Sequence, residues 1–174
     1  MSSAKRALIV IDLQNDYFPG GKLPLWNADA TLERIEAAIE RANALSIPVI
    51  LVQHLVDTSK GPAPFFGAGT PGVQIHPRIL AAAPTAIIVT KSCADSFVDT
   101  RLAATLETLG VDELLVCGMM TQNCVTHTAI SRSAEKYAVS ILADCCTTVS
   151  ELIHVIALRA VSTRLSLVDS CAAL

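Results

Sequence analysis

Short apolar runs alternate with stretches of helical periodicity along this chain. The runs that we interpret as buried strands are residues 7–11, 49–52, 86–89, 114–117, 139–142 and 165–168. Apolar residues recur at helical spacing over residues 30–45, which predicts a helix there. Further helices are predicted over residues 98–109, 124–136 and 151–160. Residues 53–78 are rich in proline and glycine and have no period, so we predict a long functional loop.

Continuous apolar strands that are bounded by helices are typical of a parallel sheet covered on both faces. We therefore predict one α/β domain over residues 1–174, with three αβα layers around a six-stranded, mostly parallel, doubly wound sheet. In such sheets, binding and catalytic sites lie beyond the carboxyl ends of the strands. The candidate functional residues are therefore the reactive side chains that directly follow strands.

Three reactive side chains occupy such positions. Asp12 ends the first predicted strand, Lys91 follows the third, and Cys124 follows the fourth at the start of a predicted helix. A helix N-terminus and a nearby lysine both favour a thiolate, while a carboxylate takes the thiol proton and returns it to a leaving amine. Backbone N–H groups at a helix start are suited to hold an oxyanion. Taken singly, each residue also has a structural interpretation, as a turn former, a solvated lysine or a buried cysteine.

Three segments carry a resemblance to a known family. They are IVIDLQNDYF (residues 9–18), TKSCADSFVDTRL (residues 90–102) and VCGMMTQNCVTHTA (residues 116–129). With these segments the chain resembles the isochorismatase-like cysteine hydrolase superfamily, which includes nicotinamidases, N-carbamoylsarcosine amidases and isochorismatases. The resemblance implies the fold predicted above and a catalytic triad of Asp12, Lys91 and Cys124.

The resemblance also implies details of the site. It implies a cis peptide bond between Met119 and Met120, and an oxyanion hole formed by the N–H groups of Met120 and Cys124. The residues expected to contact substrate are Tyr17, His54, Phe66, Met119 and Asn123. Gln14 and Thr121 are expected to support the site from behind. Alternatives stay open: Phe65 and Phe66 wall a pocket or pack in an oligomer interface, and Asn123 caps a helix.

A metal site of the nicotinamidase type is not expected. Nicotinamidases bind a metal through an Asp-x-His pair after the second strand, whereas this region reads QHLVDTSKG. His54 is present without an aspartate two residues before it, and neither Asp57 nor His76 restores the spacing. We therefore expect no metal and no cofactor, which disfavours nicotinamidase activity.

The leading functional hypothesis is hydrolysis of a small-molecule amide, ureide or imide C–N bond through a thioester acyl-enzyme. One alternative is vinyl-ether hydrolysis of the isochorismatase type, in which Asp12 acts as the acid and Cys124 is incidental. Another is a non-catalytic domain that keeps the fold and binds a small molecule or a protein. Cys124 favours the first hypothesis, because vinyl-ether cleavage does not need a thiol.

The composition of the chain excludes some classes of binding partner. A net charge of −3 without any basic run argues against nucleic acid, and 52 % apolar residues argue against disorder. The apolar run near the N-terminus stops at Asp12, no small-residue cleavage site follows, and no run has the length of a membrane helix. We therefore expect a cytoplasmic protein without a membrane partner. The six cysteines follow no disulfide framework. A small-molecule substrate and a homo-oligomer, either a dimer or a tetramer, are expected.

Overall fold

The structure is a computed structural model that describes residues 5–59 and 61–174. Its strands are β1 (Arg6–Ile11), β2 (Val49–His54), β3 (Ile87–Lys91), β4 (Glu113–Met119), β5 (Ala138–Thr147) and β6 (Ser166–Val168). Its α-helices are α1 (Ala28–Ala44), α2 (Pro77–Ala82), α3 (Leu102–Leu109), α4 (Thr126–Ala129), α5 (Glu151–Val161) and α6 (Ser170–Ala173). All six predicted strands are confirmed.

The strands form a single sheet in the order β3-β2-β1-β4-β5-β6. Every neighbouring pair is parallel, so the sheet is wholly rather than mostly parallel. Helix α1 contacts α2 and α6 on one face of the sheet, and α4 contacts α5 on the other, which confirms the three-layer, doubly wound fold. The chain moves outward from β1 to β3 and then from β4 to β6, so the switch point lies between β1 and β4. Ligand sites of this fold lie at that point.

The core is built around β1, whose side chains from Ala7 to Ile11 are at most 1 % exposed. The helical period predicted for α1 is confirmed, because its side chains Leu32, Ile35 and Ile39 are all buried against the sheet. Burial of each such aliphatic side chain contributes roughly 1.5–3 kcal/mol. The sheet edge that carries the candidate site is therefore fixed by the best-packed part of the molecule.

Gly118 allows β1 and β4 to approach each other closely at the switch point. It lies opposite Ile11 in the sheet and has a φ of +123°, a conformation that favours glycine. A Cβ atom at this position would lie 2.1 Å from the Ile11 carbonyl oxygen. Glycine therefore sets the distance between Asp12, which follows β1, and the residues that follow β4.

Two predicted helices are wrong in their extent. The helix predicted over residues 124–136 is broken into a π-helix (Thr121–Val125), α4 and a 3-10 turn (Arg132–Ala134). The Ser131 side chain accepts a hydrogen bond from the Ser133 N–H, which starts the 3-10 turn and ends helical continuity. The helix predicted over residues 98–109 begins only at Leu102.

The loop predicted over residues 53–78 is partly ordered into short elements. Strand β2 continues to His54, a 3-10 turn spans Pro71–Val73, and α2 begins at Pro77. The overlooked start of α2 carries a helix signal, because proline at the first helical position follows His76, whose Nδ1 accepts a hydrogen bond from the Arg78 N–H at 3.3 Å. Within residues 5–59 and 61–174, none of the helices has the length and apolar character needed to span a bilayer.

Candidate active site

Three buried reactive side chains meet at the carboxyl edge of the sheet. Asp12 directly follows β1, Lys91 is the last residue of β3, and Cys124 lies in the π-helix after β4. The Lys91 Nζ lies 2.9 Å from Asp12 Oδ2 and 3.2 Å from Cys124 Sγ. Asp12 is 0 % exposed, Lys91 is 4 % exposed and Cys124 is 2 % exposed. A carboxylate, an ammonium and a thiol are therefore held in mutual contact away from bulk water.

The Asp12 main chain turns sharply to present its carboxylate. Asp12 has a φ of +55°, its N–H donates to the Val52 carbonyl at 3.0 Å, and its own carbonyl accepts from the Gln14 N–H at 2.8 Å. Both carboxylate oxygens are buried, and among the described residues they accept no aligned hydrogen bond beyond the ion pair with Lys91. This carboxylate therefore has free acceptor capacity toward a thiol or an amine.

Four electron-rich atoms surround the Lys91 ammonium, which has three hydrogens to donate. Besides Asp12 and Cys124, its Nζ lies 2.9 Å from His54 Nδ1 and 3.0 Å from the Cys93 carbonyl oxygen. An ammonium has only donors, so His54 Nδ1 accepts and the ring carries its proton on Nε2. Burial and the neighbouring Lys91 charge lower the pKa of His54 to about 4. At neutral pH His54 is therefore uncharged, with an Nε2–H that has no acceptor among the described residues.

Burial and two neighbouring charges act together on the pKa of the Cys124 thiol. Burial, and then the negative charge of Asp12, raise this pKa to about 12, although Lys91 opposes the rise. Lys91 thus acts on the thiol in the expected direction, but desolvation and Asp12 outweigh it. Cys124 also lies fourth in its π-helix, not at the start of an α-helix.

The other two members of the triad are shifted in complementary ways. Burial raises the pKa of Asp12, and Lys91 only partly reverses that rise. Burial alone would lower the pKa of Lys91, but Asp12 and Cys124 outweigh it and raise that pKa above the usual value. Lys91 is thus a permanent cation, while Asp12 becomes a stronger base than an exposed carboxylate.

Two backbone N–H groups beside Cys124 were expected to form an oxyanion hole. The predicted cis peptide bond between Met119 and Met120 is confirmed. The Met120 carbonyl accepts hydrogen bonds from the N–H groups of Asn123 at 3.0 Å and Val125 at 3.3 Å, but not from that of Cys124 between them. The N–H of Met120 also has no backbone acceptor among the described residues. These two N–H groups are those named above for an oxyanion hole.

Gln14 and Thr121 hold the surrounding main chain. The Gln14 side-chain amide donates to the carbonyls of His54 at 2.8 Å and Val73 at 2.7 Å, and its oxygen accepts from the His54 N–H at 2.8 Å. Gln14 thereby fixes the end of β2. The Thr121 hydroxyl lies 2.9 Å from Nδ1 of His154, which links the π-helix to α5.

An aromatic cluster backs the site. The Tyr17 ring lies 4.5 Å from the Phe66 ring, which lies 5.1 Å from the Phe65 ring. Burial, and then the charges of Asp12 and Cys124, raise the pKa of the Tyr17 phenol.

Three of the five residues expected to contact substrate are almost completely buried, and Tyr17 is the least buried of these at 1 % exposed. Phe66 and Met119 are both 0 % exposed, and this burial favours a backing role over direct contact. It also removes Phe66 from the set of candidate interface residues. His54 is partly exposed, with 16 % of its side chain accessible. Asn123 is half-buried, and its side chain has no hydrogen bond among the described residues.

Asp16 is a site residue that the sequence analysis missed. It is 3 % exposed, and its carboxylate accepts from the N–H groups of Phe66 at 2.7 Å and Lys22 at 3.1 Å. Phe66 has a φ of +55°, and a Cβ at Gly72 would lie 2.0 Å from Asp16 Oδ1. Asp16 therefore anchors the loop that carries the aromatic wall. Its place in the NDYF segment was a signal, but nothing in the sequence pairs it with residue 66.

The fold and this site together define a cysteine hydrolase-type centre, with a cysteine, an aspartate and a lysine at the switch point of a parallel sheet. The model of the isochorismatase domain matches residues 6–171. The chain therefore belongs to the isochorismatase family, and it is a hydrolase of that family.

Relatives and solved structures agree with this assignment. An uncharacterized isochorismatase family protein, YddQ of Bacillus subtilis, is 37 % identical over 82 % of this chain and 77 % of its own length. Nicotinamidase/pyrazinamidase of Mycobacterium tuberculosis is 29 % identical over 91 % of this chain and 95 % of its own length. The crystal structure of an isochorismatase hydrolase from Oleispira antarctica matches with a TM-score of 0.87 and 29 % identity, covering 99 % of this chain and 97 % of that one.

Proposed function

We propose that this protein hydrolyses a C–N bond of a small-molecule amide, ureide or imide, with Cys124 as the nucleophile. The observation that carries this proposal is the contact of the Lys91 ammonium with both the Asp12 carboxylate and the Cys124 thiol in a buried site. The similarity to a nicotinamidase/pyrazinamidase supports the choice of an amide-like bond.

In the first step, the Cys124 proton passes to Asp12 while the sulfur attacks the carbonyl carbon. Because burial raises the pKa of the thiol, the proton must leave as the S–C bond forms, and the raised pKa of Asp12 suits it to accept that proton. The Lys91 ammonium stabilises the developing negative charge on sulfur. The N–H groups of Met120 and Cys124 hold the oxyanion.

In the second step, the C–N bond breaks and a thioester remains on Cys124. Asp12 gives its proton to the departing nitrogen, so the products are a neutral amine and the acyl-enzyme. Asp12 then takes a proton from a water molecule, which attacks the thioester carbon. The C–S bond then breaks, the acid product leaves, and Asp12 returns its proton to the Cys124 sulfur, which restores the thiol.

We further propose that His54 and Tyr17 select the substrate. The His54 Nε2–H, the Tyr17 hydroxyl and the Asn123 side-chain amide have no hydrogen-bond partner among the described residues. A hydrogen-bond donor without an acceptor rejects ligands that leave it unpaired. The substrate is therefore expected to carry a hydrogen-bond acceptor on the part that lies toward His54, and a cationic group there is disfavoured by Lys91.

The test combines a substrate screen with direct detection of the acyl-enzyme. Small amides, ureides and imides are incubated with the enzyme, release of ammonia or amine is measured, and the protein mass is recorded at short times. The expected result is product release together with an acyl mass increase on the Cys124 peptide. Hydrolysis of vinyl ethers alone, with turnover retained in Cys124→Ala, would overturn the proposal in favour of the vinyl-ether alternative. Small-molecule binding without any turnover would favour the non-catalytic alternative.

We also propose that the protein is a homo-oligomer that associates through α5. The exposed apolar side chains of this helix are Leu152 at 70 %, Ile156 at 58 % and Val155 at 46 %. Glu151 in the first turn and Arg159 in the last turn would face each other if two copies of α5 packed antiparallel. Light scattering at micromolar concentration is expected to give a mass greater than that of a single chain. Leu152→Glu is expected to reduce the measured mass to that of a single chain.

A further inference from the structure

The Lys91 ammonium is surrounded by atoms of the types that bind metal ions in proteins. Around its Nζ lie Asp12 Oδ2 at 2.9 Å, His54 Nδ1 at 2.9 Å, the Cys93 carbonyl oxygen at 3.0 Å and Cys124 Sγ at 3.2 Å. The ligand atoms of Asp12, His54 and Cys124 all lie within 4.8 Å of one another. Carboxylate oxygen, imidazole nitrogen and thiolate sulfur are the ligands that zinc takes in proteins.

A second observation indicates that this position requires a cation. Both Asp12 oxygens are buried, and among residues 5–59 and 61–174 they accept no aligned hydrogen bond, so the positive charge of Lys91 is their compensation. His54 directs a lone pair at the same point, since its Nδ1 accepts from the ammonium. Three side chains thus direct electron pairs at one centre, and a lysine side chain fills that centre.

We infer that Asp12, His54 and Cys124 form a latent binding site for a thiophilic divalent cation such as Zn²⁺, which the Lys91 ammonium keeps closed. Removal of the lysine side chain opens the site. A divalent ion then binds the carboxylate, the imidazole and the sulfur, and the thiol proton is released to solvent. In the wild-type protein, Lys91 therefore has a second role beside any part in catalysis, because it keeps the sulfur free of metal.

Metal binding requires the ligand atoms to move closer together. Zinc–ligand distances are about 2.0–2.3 Å, whereas the ligands lie about 3 Å from the ammonium nitrogen, so they must close on the ion. His54 is at the end of β2 and is partly exposed, so it is the ligand that is freest to move. The Cys93 carbonyl or a water molecule completes the fourth position.

The test uses Co²⁺ as a spectroscopic probe on chelator-treated wild-type protein and Lys91→Ala. Lys91→Ala is expected to bind one Co²⁺ with a sulfur-to-cobalt charge-transfer band and the visible bands of a four-coordinate ion. The wild type is expected to show neither at concentrations that saturate the variant. Lys136→Ala, which removes an exposed lysine, is the matched control and should resemble the wild type. The same bands in the wild type, or their absence from folded Lys91→Ala, would overturn the inference.

Double variants locate the ion. Lys91→Ala/Cys124→Ala should lose the charge-transfer band, and Lys91→Ala/His54→Ala should bind more weakly. A band that survives without Cys124 would place the metal on another thiol and refute the site.

If Lys91→Ala does not fold, it is refolded with Co²⁺ or with Mg²⁺. Recovery with Co²⁺ alone supports the site, and recovery with neither ion contradicts it. None of these measurements depends on the proposed reaction.

Discussion

Two groups of buried cysteines in this protein differ in what surrounds them. Cys117, Cys145 and Cys146 are buried where β4 and β5 pair, and burial raises the pKa of each of these thiols. Burial raises the pKa of Cys124 in the same way. Cys145 also has a carboxylate nearby, that of Asp144 at 3.8 Å, but Asp144 accepts hydrogen bonds from Ser170. Among the described cysteines, Cys124 alone has both a lysine ammonium, at 3.2 Å, and a carboxylate with unused acceptor sites beside it. Burial is therefore common to both groups, and the adjacent base and cation are what separate a candidate nucleophile from a packing residue.

The largest expected effect comes from removing the sulfur that has these partners. Cys124→Ala should lower turnover about a thousandfold or more while the protein stays folded, since the variant cannot form a thioester. Steady-state assays on the substrate found by the screen, with circular dichroism as the folding check, measure this. Turnover near the wild-type level in a folded variant would show that Cys124, like the other buried cysteines, is not the nucleophile.

Removal of the base comes next. Asp12→Asn should lower turnover by about 10²–10⁴-fold. The variant has no base to accept the thiol proton and no acid to protonate the leaving nitrogen. The product released and the acyl-enzyme mass are followed together. If the acyl-enzyme forms at the normal rate and only its hydrolysis slows, Asp12 acts in the second half-reaction alone, and the first step proposed above is refuted.

Removal of the cation should change both reactivity and stability. Wild-type alkylation by iodoacetamide should rise about tenfold per pH unit from pH 7 to pH 10 without a plateau, because the thiol pKa is about 12. In Lys91→Met, alkylation should be slower at every pH, since Lys91 lowers that pKa.

The same variant leaves Asp12 buried without a counter-charge. The free energy of unfolding should fall by about 3–5 kcal/mol, unless Asp12 takes up a proton. Thermal or urea unfolding measures this, with Lys136→Met at the exposed Glu107 pair as control. If Lys91→Met kept the wild-type alkylation rate and stability, Lys91 would be an ordinary strand residue without a part in the site.

A smaller effect is expected in the other group of thiols. Cys146 is buried and its Sγ lies 3.3 Å from the Leu142 carbonyl oxygen, so Cys146→Ala should lower stability by about 1 kcal/mol. Turnover per folded molecule should not change. A loss of activity that exceeds the loss of folded protein would show that this group also serves the reaction.

Metal removal should have the smallest effect. Treatment with a strong chelator should leave the rate unchanged, because the base and the cation of the proposed reaction are both side chains. Metal content before and after treatment is measured beside the rate. A strong loss that zinc or iron restores would mean that a metal, rather than Lys91, distinguishes Cys124 from the other buried thiols.

The sequence was sufficient for the sheet and for the three central residues, for a physical reason. Buried parallel strands are continuous apolar runs, and parallel strands bring the residues after their carboxyl ends to one edge. Asp12, Lys91 and Cys124 could therefore be placed together. The breaks in the helix predicted over residues 124–136 could not be predicted, because they depend on local side-chain competition by residues such as Ser131.

Long-range contacts were also beyond the sequence. Asp16 holds the main chain of Phe66 across a separation of 50 residues, and no periodicity encodes such a pair. The lysine that favours a Cys124 thiolate could be predicted from the sequence, but the burial that opposes the thiolate could not. The degree of burial, which reverses the direction of its pKa shift, is a property of the packed structure. A spacing pattern therefore gave the identity of the reactive groups but not their protonation.

The hydrogen bond between Thr121 and His154 has a consequence for how such an enzyme would be assayed. His154 is on α5, whose apolar side is exposed, while Thr121 opens the turn that carries Cys124. If α5 is the surface on which copies associate, dilution that separates them also frees the helix that braces the catalytic turn. Activity per molecule would then fall as the enzyme is diluted, and a progress curve started from a dilute stock would show a lag.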